Sequence, residues 1–169
     1  LVFAPLANRL GIWQIKWEME DLAFRLLEPQ TYKQVAAWLE DKRVEREAQV
    51  TQLRQSLADQ LLAQDIAAQV QGRPKHIYSI IKKMRGKSLD FSQVLDLRAL
   101  RVIVGTVEDC YRVLSWVHAQ MTPLENEFDD YIAKPKSNGY QSLHTVVSDA
   151  LGKVVEIQIR TQDMHVHAE

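Results

Sequence analysis

The seven residues from Val154 to Arg160 constrain the fold more than any other stretch. Val155, Ile157 and Ile159 alternate strictly with Glu156, Gln158 and Arg160. Successive side chains of a strand point to opposite faces, so this segment predicts a β-strand with one apolar and one polar face. Such a strand needs a sheet with a core on one side only. Ser142 to Ser148 is the predicted partner, joined through Asp149-Ala150-Leu151-Gly152 as a hairpin.

The rest of the chain supplies what packs on that sheet. Leu6, Leu10, Ile15, Leu22, Leu26 and Leu27 recur at helical spacing until Pro29, and the pattern resumes from Tyr32 to Leu62. Asp41 to Glu47 is a mixed charge run, read as a solvated helix face. At about Asp65 the character changes. Ile66, Ala68 and Val70 alternate with polar or small neighbours and predict a short strand ended by Gly72-Arg73-Pro74. Lys75 to Met84 predicts a helix with Ile77, Ile80, Ile81 and Met84 on one face. Arg101 to Val104 predicts a strand. Val107 to Met121 predicts a helix closed by Pro123, its buried stripe formed by Val107, Tyr111, Leu114 and Val117 or His118. The expected fold is therefore α+β: a mixed sheet flanked by helices, with residues 1–64 as an N-terminal helical segment and 65–169 as the sheet domain.

With 169 residues the chain suffices for one domain and a helical extension. Net charge is −1, which excludes the global basic field of a non-specific nucleic-acid binder, so an anionic ligand must be held by a local cation cluster. Cys110 is the only cysteine and predicts a buried structural thiol, compatible with a reducing cytoplasm. No apolar run approaches the ~20 residues of a membrane span, and no signal peptide is recognisable. A start without Met and an end inside a periodic pattern suggest a piece of a longer protein.

Four clusters could carry chemistry. Gly72-Arg73-Pro74-Lys75-His76 opens a helix, and a helix N-terminus favours anions; Ser79, Lys82, Lys83 and Arg85 follow. The last three cations equally suit a helix C-terminus. Asp96 stands before a strand, as a metal ligand or a turn residue. Glu156 and Gln158 lie on the polar strand face; with Asp96 close by, Glu156 could share Mg²⁺, which favours a few carboxylates with phosphate oxygens and water. A solvated strand face is the plain alternative. The fourth is the loop Tyr131 to Thr145, with Lys134, Lys136, Asn138, Tyr140 and His144; its aromatic could stack on a base while its cations meet phosphate. Glu125, Glu127, Asp129 and Asp130 precede it as an acidic knot or a plain acidic turn.

Together these clusters resemble the RelA/SpoT family of guanosine tetra- and pentaphosphate synthetases. The resemblance rests on Gly72-Arg73-Pro74-Lys75-His76, Asp96-Leu97-Arg98-Ala99-Leu100-Arg101, Asp130-Tyr131-Ile132-Ala133, Asn138 to Thr145, and Glu156-Ile157-Gln158-Ile159-Arg160-Thr161. The helical segment resembles the tail and linker of the family's preceding hydrolase-like domain. The resemblance implies a nucleotidyltransferase-like sheet and a GTP diphosphokinase, which moves a pyrophosphate from ATP onto the 3′-hydroxyl of GTP or GDP in the stringent response, in the cytoplasm. It implies Arg73 and Arg101 around adenine, Lys75, Ser79 and Lys83 around the ATP phosphates, and Mg²⁺ on Asp96 and Glu156, with Glu156 also drawing on the 3′-hydroxyl proton. It implies Tyr140 on guanine, Lys136, Asn138 and His144 at the acceptor, and Gln158 on the floor. Glu127-Phe128-Asp129-Asp130 is similar to the acidic form of synthesis-dedicated members, and Ala99 points the same way. Ribosome and uncharged tRNA are expected to act only through domains outside this chain. A degenerate nucleotide-binding regulatory module, or a nucleotidyltransferase that releases pyrophosphate, are the competing expectations.

Overall fold

The computed structural model describes residues 13–73, 76–87 and 98–168, apart from the side chains at positions 13, 14, 17 and 87. Lys75 and Asp96 lie outside the described residues, and so do Leu6 and Leu10.

Among the described residues three helices come first: α1 (Trp13–Leu27), α2 (Pro29–Asp41) and α3 (Arg43–Ala63). Pro29 both ends the first run and starts the next, since a proline at the first helical position loses no hydrogen bond. Around Lys42 the charge run is solvated: Arg43 meets Glu40 at 3.2 Å and Glu47 at 3.4 Å, both exposed. Then follow β1 (Gln69–Gly72), α4 (Ile77–Lys87), β2 (Arg98–Val104), α5 (Val107–Gln120), β3 (Thr122–Pro123), β4 (Asp129–Asp130), β5 (Leu143–Ser148), β6 (Val154–Thr161) and α6 (Gln162–Ala168).

The strands form one mixed sheet in the order β1-β2-β6-β5-β3, with β4 also on β5. Among the described strands only the β2–β6 pair is parallel. The β5–β6 hairpin pairs Ser148 with Val154 and turns at Gly152, whose φ of +78° a side chain rarely adopts. Register settles which residues share a face. Leu100, Val102 and Val104 of β2 and Val155, Ile157 and Ile159 of β6 point to the helices. There they meet Leu57 and Leu61 of α3 and Cys110, Val113 and Val117 of α5. Burial pushes the Cys110 thiol up to about 12, Asp109 adding to the effect, so this cysteine is an inert core residue.

Two expectations change. The strand expected from Ile66 starts only at Gln69. Asp65 takes φ +62° and the chain reverses there: Asp65 N–H donates to Leu62 O and Ile66 N–H to Leu61 O, both at 3.0 Å. This is the paired-bond ending of a helix, so buried Ile66 closes α3 instead of opening a strand. On α5 the buried stripe is Cys110, Val113 and Val117, while Val107 is 44% exposed. Val107 directly follows the Thr106 cap, whose hydroxyl accepts from Asp109 N–H, and it clears the sheet edge. Tyr111 and Leu114 pack only at the margin of the core.

Because Leu61 is fully buried against the sheet, α3 melts with it. Leu61→Ala is expected to lower the unfolding free energy by about 2–5 kcal/mol in one cooperative transition. Denaturant unfolding followed by circular dichroism checks this; a separate early transition would show α3 to be an independent unit.

Candidate active site

The face of the sheet away from α3 and α5 carries polar side chains in register. Arg101 of β2 lies opposite Gln158 of β6, Gln158 opposite His144 of β5, and His144 opposite Asp129 of β4. One row thus crosses four strands and brings together residues spread over 101–158. In the neighbouring row Glu156 lies between Ala99 and Val146.

Within this row the hydrogen bonds close on themselves. Arg101 Nε donates to Gln158 Oε1 at 2.8 Å. Gln158 Nε2 donates to the Tyr140 hydroxyl, and Ser142 Oγ donates to the same oxygen at 2.9 Å. A phenol oxygen that accepts twice has one proton left to give, and it gives it to His144 Nε2 at 2.8 Å. This arrangement suits a neutral His144 whose Nε2 accepts, with its proton on Nδ1. Its electrostatics agree: burial, then Arg73, Lys136, Arg160 and Arg101 around it, push its pKa down to about 3.

Against this floor a cavity of about 190 Å³ is lined by Arg73, Lys83, Glu127, Asp129, His144 and Glu156, with Thr145, Val146 and Ile157. Six of the expected site residues thus meet in one place. Arg73 reaches it because its N–H donates to Ala99 O at 2.9 Å, continuing the β1–β2 ladder; burial lowers its pKa. Lys83 of α4 forms an ion pair with Glu156 across the cavity.

The loop before β5 forms one side. Asn138 Oδ1 accepts from Tyr140 N–H at 3.1 Å, and Gly139 closes a turn onto Lys136 O at 2.8 Å. Gly139 has φ +85°, and a Cβ there would stand 3.3 Å from His167 Nε2 of α6, so the position requires glycine. The Lys136 ammonium sits 4.7 Å from the Tyr131 ring centroid and 5.5 Å from that of Tyr140. Desolvation lowers its pKa, Lys16, Lys82 and Arg73 adding to this while Asp129 opposes it.

Several expectations are revised here. Tyr140 is only 7% exposed, edge-on to Tyr131 and His144, and not an open platform. Ser79 is exposed on α4 and does not line the cavity. Lys82 lies 5.8 Å from the Tyr78 ring, and Arg85 makes a bidentate pair with Glu28 at 2.7 and 3.0 Å. The N-terminus of α4 is already taken: Asp21 of α1 accepts from Tyr78 N–H at 2.9 Å. An acidic side chain is thus where a ligand anion was expected. The acidic motif divides too. Glu127 and Asp129 line the cavity, whereas Asp130 turns to the helix side, accepting from Tyr111 at 2.8 Å and from Ile132 and Ala133 N–H at 3.0 and 2.8 Å. Burial alone would raise the Asp130 pKa; these three bonds outweigh it and hold it low. Gln158 and Arg160 are buried, at 3% and 1% exposure, because the Tyr140 loop and α6 cover that end of the sheet. Three contributors had no role assigned from the sequence: Tyr131, Ser142 and Lys16. Alternation placed Ser142 in a strand, but nothing in it signals a bond to Tyr140.

Among the described residues no three metal-ligating side chains converge. Glu156 nonetheless has the chemistry of half a Mg²⁺ site: a carboxylate on the floor that already holds a cation, the Lys83 ammonium. Nor is any described helix long and apolar enough to cross a membrane.

The mixed sheet thus packs on α3 and α5 with one face and carries a cation-lined polar floor on the other. The chain is similar to the crystal structure of small alarmone synthetase 1 from Bacillus subtilis, with TM-score 0.57 and 30% identity over 77% of this chain and 74% of that one. It is also similar to the same protein bound to its product pppGpp, with TM-score 0.55 and 30% identity over 79% and 77%. The family model described as a region found in RelA / SpoT proteins matches residues 72–169, and this chain belongs to that family. It is 54% identical over 168 residues to the GTP pyrophosphokinase of Photobacterium angustum, covering 99% of this chain and 23% of that protein. The chain thus spans under a quarter of that relative's length.

The neutral His144 yields a pH test. Its folded pKa lies below the ordinary value near 6.5, so stability is full above about pH 6.5 and is lost as pH falls toward about 3, while the unfolded chain alone takes the proton. His118, beside Thr145 and Phe128, is shifted the same way by burial and adds to the slope. His144→Asn keeps an acceptor for Tyr140 and is expected to reduce the pH slope of unfolding free energy between pH 6.5 and 4 by up to one proton. An unchanged slope would refute a neutral His144.

Proposed function

We propose that this domain transfers the β,γ-pyrophosphate of ATP to the 3′-hydroxyl of GTP or GDP. The observation that carries the reading is the cavity in which Glu156, the acidic pair Glu127 and Asp129, and the cations Arg73 and Lys83 meet above a neutral histidine. In the reaction the acceptor 3′-oxygen attacks the β-phosphorus of ATP, the bridging bond to the α-phosphate breaks, and AMP leaves. Such transfers depend on in-line placement and on neutralised charge more than on covalent help. Family membership and the likeness to a synthetase seen with its product pppGpp support it.

The residues divide by position. Arg73 and Arg101 flank adenine, and Lys83 leaves Glu156 to meet the incoming phosphates, with Lys75 and Ser79 serving the same phosphates. Glu156 receives the 3′-hydroxyl proton. Mg²⁺ would be held by Glu156 with Asp96, and it supplies charge neutralisation at the triphosphate. Guanine stacks on the Tyr140 face now under the Lys136 ammonium, which moves to the acceptor phosphates. Asn138 holds the loop in shape, and His144 and Gln158 hold the Tyr140 hydroxyl. The acidic Glu127-Phe128-Asp129-Asp130 form and Ala99 favour a synthesis-dedicated enzyme acting in the cytoplasm, with ribosome and uncharged tRNA sensed by other parts of a longer protein.

Incubation with ATP, GDP and Mg²⁺ is expected to yield AMP and a guanosine tetraphosphate; release of pyrophosphate would point to nucleotidyl transfer, and no product at all to a regulatory module. Glu156→Gln keeps the size of the side chain and is expected to cut turnover by roughly 10²-fold or more. Turnover within a few-fold of the parent would remove Glu156 from the chemistry. Tyr140→Ala is expected to weaken GDP binding by roughly tenfold or more through lost stacking, with ATP binding nearly unchanged. Equal losses for both nucleotides, measured by calorimetry, would rule out stacking on this ring.

A further inference from the structure

A second cation cluster lies on the other face of the sheet, at the end formed by the start of β2 and the β5–β6 turn. Arg98 has the parity of Leu100 and so points toward α3, away from the floor that carries Arg101 and Glu156. The residue is only 7% exposed. Nη2 donates to Asp149 Oδ2 at 2.8 Å, but Nε is buried with no hydrogen-bond partner. Arg46 of α3 is alike: Nη2 reaches Leu39 O at 3.5 Å, and Nη1 is buried without a partner. Two buried guanidinium donors left unpaired cost stability and call for an acceptor.

Both arginines line the same cavity of about 450 Å³, together with Lys42, Lys153, Glu45 and Gln49. Four cations there face one carboxylate, Glu45, while Asp149 is engaged by Arg98 and by the N–H groups of Leu151 and Lys153. A neighbouring cavity of about 400 Å³ shares Arg46 and Arg98 and adds Arg54 and Glu47; its far wall reaches Gly72 and Arg73.

We propose that Arg46 and Arg98, with Lys42 and Lys153, form a second anion site that takes a phosphate group, separate from the substrate floor. Guanidinium forks match phosphate oxygens bidentately, and the flanking ammonium groups add charge. The two open donors, Arg98 Nε and Arg46 Nη1, receive the acceptor they lack. A phosphate held there bridges α3 to the β5–β6 turn and stabilises their packing.

The test is calorimetric titration of the whole chain with inorganic pyrophosphate, beside the variant Arg46→Gln/Lys153→Gln and the floor variant Arg101→Gln. The parent is expected to show two classes of site. Arg46→Gln/Lys153→Gln is expected to lose one class by roughly tenfold or more, keeping the other; Arg101→Gln is expected to weaken only the other. A parallel titration with AMP separates the sources: a loss larger than for pyrophosphate in Arg46→Gln/Lys153→Gln means a nucleotide phosphate, an equal or smaller loss means free phosphate. If pyrophosphate binds Arg46→Gln/Lys153→Gln within twofold of the parent at both classes, the site does not exist. Should that variant unfold, the exposed Lys42→Gln replaces it, with a smaller loss expected in the same class and no loss overturning the proposal.

Discussion

The hydrogen bonds that run from Arg101 through Gln158 to the Tyr140 hydroxyl govern the polar side of this domain. Arg101 and Gln158 are 7% and 3% exposed, and a buried guanidinium without a partner costs far more than a satisfied one contributes. The parallel β2–β6 pairing puts the two side by side, so the strand order itself satisfies the charge. Gln158 has a second end to place, and it gives it to Tyr140, eighteen residues away and outside the regular strands. Sheet register thereby fixes the conformation of a loop. Removing any member of the row would leave at least one buried polar group unpaired, which is why a row this buried tolerates no half-formed version.

Charge follows from the same arrangement. His144 stays neutral because burial disfavours the charged ring, and because a further cation among Arg73, Lys136, Arg160 and Arg101 would be repelled. The floor can then concentrate positive charge without adding to it. Lys83 and Glu156 neutralise each other across the cavity. In the proposed reaction a polyphosphate would compete for the lysine and a divalent cation for the carboxylate, so each ligand would free the group the other needs.

The sheet was legible in the sequence wherever period-two alternation ran unbroken. Val154 to Arg160 and its hairpin partner are found as expected, and so is the polar parity of Glu156, Gln158 and Arg160. Alternation misled at Ile66, because a helix ending also buries an apolar residue just past a left-handed Asp65, and a hydrophobic pattern cannot tell the two apart. The α5 stripe slipped because the expected one starts from Val107, whereas the core takes the phase of Cys110, Val113 and Val117, with Cys110 buried as expected. Within the site, residue types revealed the chemistry but not the pairing. Nothing local in Asp130 says that it turns to Tyr111 while Asp129 faces the cavity; that follows from its place opposite Leu143 on β5.

The helical segment takes part in this site rather than merely preceding it. Asp21 caps α4 by accepting from Tyr78 N–H, 57 residues later, and it also stands 3.7 Å from His76 Nδ1. Phe24 packs on Tyr78 at 5.7 Å between centroids, and Glu28 holds Arg85 at the far end of the same helix. α4 carries Lys83, so the ion pair that guards Glu156 is positioned by α1. Lys16 extends the cation field as far as Lys136 in the loop opposite. A shift of α1 would move the α4 N-terminus, the lysine and the local field together, because the three share one carboxylate and one aromatic contact. α1 grips α4 at Asp21 and Phe24, and α2 reaches the same helix through Val35, which packs with Ile80 and Ile81.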